Sequence, residues 1–336
     1  MREPRLGRSI ARRTATVAAL GAGLLPLAAH GQVTPEQATQ IRDAMSNRVE
    51  ALTILGGASG IAGADFRSTG RFEFSEPADA AIAVSKFGGA GDIGDPQPLG
   101  SLAVGWQPRL QGNMGWLEGT QHLNAGLLEG DVSRIKTYGI EFGGGVRFWV
   151  DDHLSFAPTL SGLYGHTSET YTANSVFMRT NLETAKQIGL VDWTLDTWTL
   201  ITGVDIQYLI ALRRTIITVT SSPVYYHTES FESSSASVNV KGDSGTWANM
   251  VDVDIPLGVE LFGHELRMGG FYRWTGLYGG LRDGLHESNF NEIHGRLVLD
   301  FLTQLWKVQW IGIGGSYIRG PNISGWTAGA DVVFRF

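Results

Sequence analysis

Residues 326–336 alternate between two kinds of side chain. Trp326, Ala328, Ala330, Val332, Phe334 and Phe336 fall on one face, and Thr327, Gly329, Asp331, Val333 and Arg335 on the other. Successive side chains of a strand point to opposite sides of its sheet, so this strand has an apolar side and a partly charged side. The pattern recurs along the chain. Tyr138, Ile140, Phe142, Val146 and Phe148 alternate with Glu141 and Arg147. Val251, Val253, Ile255, Leu257 and Val259 alternate with Asp252, Asp254 and Glu260. Leu266, Met268, Tyr272 and Trp274 alternate with Arg267 and Arg273, and Ile293, Leu297, Leu299 and Phe301 with Glu292, His294, Arg296 and Asp300. A soluble sandwich buries its apolar face and wets the other. A membrane barrel turns the apolar face to lipid and the charges to its lumen, and a charge on the lipid face near the midplane costs about 2–4 kcal/mol. Glu141, Arg147, Asp252, Asp254, Glu260, Arg267, Arg273, Arg296 and Asp300 are therefore expected to face the lumen and pair there. On the same ground Val253→Lys should impair assembly far more than Asp254→Lys.

The alternation predicts twelve strands: 65–75, 79–88, 98–118, 135–150, 154–171, 195–211, 214–230, 246–261, 264–279, 290–302, 305–319 and 324–336. The connections alternate in length. Residues 151–153, 212–213, 262–263 and 303–304 make tight turns, and 119–134, 172–194, 231–245 and 280–289 make long loops. Outer-membrane barrels have an even strand number, short periplasmic turns and long outer loops. The fold class is thus an all-β membrane protein, a closed antiparallel transmembrane barrel of about twelve strands, with both termini expected in the periplasm of a Gram-negative bacterium. Trp116, Trp198, Tyr225, Trp247, Tyr278 and Trp326 read as an outer aromatic girdle, and Tyr208, Phe301, Trp306 and Phe336 as an inner one. Abundant glycine (45 residues) and few charged residues (18%) fit such a barrel better than a helical fold.

The first thirty-one residues read as a cleaved signal peptide. Arg2, Arg5, Arg8, Arg12 and Arg13 precede an apolar run from Thr16 to Ala29, and Ala29-His30-Gly31 is a small-x-small cleavage site. Without this segment the chain's 26 basic and 33 acidic residues become 21 and 32, since five Arg and one Glu leave with it. Such an acidic balance excludes nucleic acid as a partner. The absence of Cys excludes a disulfide scaffold.

Residues 32–57 form a second segment. Thr34, Pro35 and Gln37 start a helix as N-cap, first helical residue and capping-box partner. Ala38, Ile41, Met45, Val49 and Leu52 follow at helical spacing, and Gly56-Gly57 can end it. The apolar stripe gains by leaving water, so the helix is expected in or against the lumen. Arg42, Asp43, Arg48 and Glu50 are expected to pair with lumen charges such as Arg147, Glu260 or Arg273. The barrel proper is then 58–336.

A helix, twelve strands and a terminal aromatic together resemble an autotransporter translocator, and more narrowly the solitary outer-membrane autotransporter-type barrels that carry no passenger. Phe336, after Phe334 and Val332, resembles the signal read by the outer-membrane barrel assembly machinery. The resemblance implies outer-membrane lipids and that machinery as partners, no cofactor and no enzymatic activity. It implies a passive barrel: a pore, an envelope component or a surface module whose loop ligand the sequence does not identify.

The alternative is an outer-membrane protease or lipid hydrolase with a site at the outer rim, which a cluster of His, acid and hydroxyl near the outer strand ends would betray. Three other motifs read blandly. Gly89-Ala90-Gly91-Asp92-Ile93-Gly94 matches a dinucleotide fingerprint, but no helix follows to receive a pyrophosphate, and it reads as a flexible turn. His286-Glu287 and Glu292-His294 lack the one-face spacing of a helical metal site. Asp252 and Asp254 could couple as an acid–base pair, but Arg267 or Arg273 on the next strand is their simpler partner.

Overall fold

In the computed structural model of the chain, residues 35–59, 67–74, 80–99, 102–123, 128–187, 189–235, 238–301 and 308–334 are described. Helix α1 spans Pro35–Gly57, α2 Val176–Gln187 and α3 Gly280–Leu285. The strands are β1 Arg67–Phe74, β2 Ala80–Asp92, β3 Gln97–Leu99, β4 Leu102–Leu123, β5 Asp131–Trp149, β6 Leu154–Thr172, β7 Thr194–Leu212, β8 Thr215–Ser233, β9 Lys241–Leu261, β10 His264–Gly279, β11 Asn289–Asp300, β12 Val308–Arg319 and β13 Ile323–Phe334.

Twelve of these strands close into one antiparallel ring. β1 pairs with β13 and β2, and β2 pairs in turn with β4, which leaves no open edge. The short β3 is extra. It pairs along the same side of β4 as β2 does, so it prolongs β2 after a break at residues 93–96. The expected turn at Gly89–Gly94 is therefore mostly strand. Gly89 and Gly91 pair with β4, Gly94 falls in the break, and Asp92 turns inward onto Arg109 and Arg147. The strands also reach further into the long loops than alternation indicates, as β4 and β5 pair up to Leu123 and Asp131. Of the predicted loops, 172–194 contains α2, begun by the Ser175 hydroxyl, which accepts the N–H of Met178 (3.1 Å). At the opposite end, the Asp151 carboxylate accepts the N–H groups of Leu154 and His153 in a tight turn (both 2.7 Å), and these bonds, Leu154's first, hold it below the ordinary carboxylate range.

Apolar side chains line the outside of the wall, with Phe142 71% and Ile313 69% exposed. Trp116, Trp198, Tyr225, Trp247, Tyr278 and Trp326 all stand exposed toward the long-loop end. Tyr208 is exposed at the other end, whereas Trp306 and Phe336 lie outside the described residues. β1 and β2 break the pattern. Phe72, Phe74, Ile82 and Val84 are buried inside, while Thr69, Arg71 and Glu73 face out.

The inward apolar residues meet α1. Met45 and Val49 pack among side chains of the long-loop end, including Trp193, Val238 and Val240. Ala51, Leu52, Ile54, Leu55 and Ala58 pack lower down against Phe72, Leu117, Leu163 and Ile201 of the wall. The helix thus enters at the long-loop end and descends to mid-barrel, while β13 ends at the short-turn end. The expectation that the helix and the C-terminus share one end is corrected. The turns alone carry no information about which mouth the helix uses.

Candidate functional site: the plugged lumen

The seat of α1 is built from small residues. Gly115, Gly139 and Gly165 are cross-strand neighbours on β4, β5 and β6. A Cβ on Gly139 would stand 2.6 Å from the Gly57 Cα, one on Gly165 would stand 2.5 Å from a Thr53 methyl, and one on Gly115 would strike the Gly56 carbonyl. The row is a trench into which the helix backbone fits. Beyond mid-helix the burial is complete: Glu50 and Thr53 are as enclosed as Ile54. The single stripe read from spacing is therefore too narrow, because wall and loops surround the helix.

The lower end of α1 leaves carbonyls without helical partners, and the wall supplies them. Lys86 Nζ donates to the Ala58 carbonyl (2.9 Å) and Asn113 Nδ2 to that of Gly57 (2.6 Å). A cation there also suits the negative end of the helix dipole. Glu141 accepts the Ser59 N–H (2.5 Å) and bonds Ser161 and Gln111. The upper end is latched by α3. Ser244 Oγ donates to Glu50 Oε1 (2.6 Å) and accepts the Leu281 N–H (2.8 Å). Gly280 and Gly284 of α3 lie so close to Glu50 and Asn47 that no side chain fits there. Glu287, buried at the base of this latch, accepts the N–H groups of Asn322 (2.7 Å) and Ile323 (3.1 Å).

Burial pushes the Glu50 carboxyl up, and the Ser244 bond opposes this only partly; Asp243 adds to the rise and His227 subtracts. A carboxyl raised on folding stabilises fully below its unfolded value of 4.5 and loses that contribution as pH rises through the folded value. Unfolding midpoints in urea, read by heat-modifiable gel mobility, should therefore be higher at pH 5 than at pH 8. Glu50→Gln should flatten this dependence and match or exceed the wild type at pH 8. A variant that keeps the full pH slope would assign the slope to another group.

Below the helix the lumen is charged. Arg147 bonds Asp92 (2.8 Å), Ser155 and Gln207, and Arg109 joins Asp92 (3.0 Å) to Asp205 (3.4 Å). Arg267 bonds Asp254 (2.9 Å) and nears Asp300 (3.9 Å), Arg296 bonds Asp252 (2.8 Å) and nears Asp331 (3.8 Å), and Arg273 bonds Glu292 (3.0 Å). Of the residues singled out by alternation, Glu260 stands apart. It is exposed at the short-turn rim, opposite Glu265 and below the irregularity that Gly258 opens. The Glu50 carboxylate bonds Ser244 rather than Arg147 or Arg273. Asp92 and Arg109 sit among Gly, Pro and Gln rather than in a clean alternation, whereas Asp205 lies on the polar side of one, between Val204 and Ile206. Phe334 continues β13 opposite Val308.

Among the described residues the rim holds two clusters of an acid, a His and a hydroxyl. Asp196 Oδ1 takes the Tyr164 hydroxyl (2.6 Å) and His166 Nδ1 (2.8 Å), and Asp243 Oδ1 takes the Tyr225 hydroxyl (2.5 Å) and His227 Nδ1 (2.7 Å). In both, the hydroxyl serves the carboxylate and not the imidazole, so no nucleophile is activated. In the lumen Ser316 Oγ lies 2.9 Å from His294 Nδ1, but both are enclosed with Glu292, whose carboxylate receives Arg273. Among the described residues no group of His, Cys, Asp or Glu is placed to hold a metal ion.

The sequence profile described as "Solitary outer membrane autotransporter beta-barrel domain" matches residues 99–336. Three solved barrels share the fold. The transport unit of the autotransporter AIDA-I from Escherichia coli covers 87% of this chain and 99% of its own, at 12% identity and a TM-score of 0.56. The translocator domain of NalP from Neisseria meningitidis covers 80% and 86%, at 11% identity and 0.53. The beta domain of the Bordetella autotransporter BrkA covers 80% and 97%, at 11% identity and 0.52. No curated protein matches the chain.

Proposed function

Because the chain belongs to the family of solitary outer-membrane autotransporter β-barrel domains, we propose that it is a sealed barrel of the outer membrane, an envelope component that presents its loops at the surface and conducts no solute. The observation that carries this reading is the apolar upper lumen. Phe72, Ile82, Leu117, Leu163, Ile201 and Tyr226 point inward and close on α1. A conducting pore needs a wetted wall, and moving the helix would expose these side chains to water at roughly 1.5–3 kcal/mol each. In this reading the long-loop end faces the cell exterior, so the first turns of α1 lie at the surface and β13 ends in the periplasm. Outer-membrane lipids surround the wall, and Phe334 with Phe336 is the signal for the barrel assembly machinery.

Planar-bilayer recording tests the seal. The intact protein should give no conductance steps, and a variant lacking residues 35–57 should give them. Steady channels from the intact, folded protein would overturn the reading.

A further inference from the structure

The two rim clusters have the same construction. In each, a Tyr-x-His pair on one strand faces outward, and one oxygen of an Asp on the next strand holds both side chains. They occupy adjacent hairpins, β6–β7 and β8–β9, and Trp198 stands between them, edge-on to the His227 ring at 5.7 Å. The wall beneath them is apolar and exposed, at Ile140, Leu160 and Leu200. The wall above is charged, at Lys136 and Glu118 (3.5 Å apart). The clusters therefore lie where the lipid-facing surface passes from hydrocarbon to headgroup.

We propose that this outward face of β6–β9 binds the sugar headgroup of the outer-leaflet glycolipid. The chemistry fits a sugar. With Nδ1 committed to Asp, His166 keeps Nε2 for a headgroup while His227 Nε2 faces Glu229 at 3.5 Å, and each Asp keeps a second oxygen for a hydroxyl or amine. The exposed faces of Tyr164, Trp198 and Tyr225 offer apolar platforms to the ring C–H groups. The charge selects among headgroup parts. Asp196, Asp243 and Glu229 outnumber Lys241, which itself pairs with Glu229 at 2.6 Å. A bare phosphate is repelled here, and hydroxyls or amines are favoured. The duplication gives one headgroup two points of attachment. The proposal rests on the outer-membrane location and not on the seal, so lipid binding and conductance are read separately.

The test is lipid retention by the full-length protein in detergent, measured by native mass spectrometry. The probes are purified rough-type lipopolysaccharide and, for comparison, phosphatidylethanolamine. The wild type should prefer the lipopolysaccharide. A His166→Leu, His227→Leu double variant should bind it at least about tenfold more weakly, the scale of one or two lost hydrogen bonds. Tyr164→Phe with Tyr225→Phe should fall between and guards against misfolding, because both rings stay. Tyr272→Phe, on the wall at β10, should change nothing. Equal affinities for wild type and cluster variants, or no preference over phosphatidylethanolamine, would overturn the proposal. Loss of binding in a chelator would also do so, since it would assign the contact to a metal-bridged phosphate.

Discussion

Gly139→Val is expected to drive α1 out of its seat. The first carbon of any side chain at residue 139 would stand 2.6 Å from the Gly57 Cα, and both atoms belong to backbones that cannot swing aside. β5 is held on both edges by β4 and β6, so the helix must yield. If its lower turns leave, Leu52, Ile54 and Leu55 lose their enclosure, at about 4–9 kcal/mol in all. Lys86 and Asn113 lose the carbonyls they cap. Two observables should change together: trypsin should cut at Arg42 or Arg48, and conductance steps should appear in bilayers. Gly162→Val is the control, because a Cβ at that glycine meets nothing within 4 Å. A Gly139→Val protein that stays protease-resistant and silent would mean that the trench does not position the helix.

That trench shows why part of this molecule was legible in sequence and part was not. A lipid-facing wall writes a period of two into the chain, because each strand must show hydrocarbon on one side. β5 to β13 carry that signature and fall where alternation puts them, with errors at the loop ends, where strands continue above the membrane and the apolar requirement lapses. β1 and β2 carry the opposite signature. Their inner face packs on α1, so Phe72 and Val84 point inward and Arg71 outward, and period alone cannot tell inside from outside. The plug is written in a quieter hand, as Gly115, Gly139 and Gly165 on the face that elsewhere bears charge. Glycine at those positions is noise until the register makes the three into neighbours. The rim clusters were hidden for the same reason. Tyr-x-His is unremarkable in a strand, and its Asp lies 30 residues on in one case and 16 in the other. The lumen ion pairs were half visible: alternation found Asp254 and Arg267 on one face, but the enclosure that decides their energetics belongs to the fold.

That enclosure reverses one expectation. The lumen was expected to tolerate charge at Asp254. In the fold, Asp254 is 7% exposed and Arg267 9%, and they are bonded at 2.9 Å. Removing one partner of a buried pair leaves the other uncompensated, at about 3–5 kcal/mol. Asp254→Asn is therefore expected to lower stability toward the smaller figure, because Arg267 keeps Glu265 at 3.6 Å and Asp300 at 3.9 Å. Asp254→Lys sets two cations against each other and should fail to assemble about as often as Val253→Lys, whose ammonium would enter hydrocarbon at about 2–4 kcal/mol. The double variant Asp254→Leu, Arg267→Met should recover most of the loss, since it removes both charges and the desolvation they require. Folding yield by gel mobility and urea midpoints, measured for these four variants beside the wild type, check each expectation. If Asp254→Lys folds as well as the wild type, the lower lumen is wet, and the pairs around Arg267 contribute no more than exposed ones do.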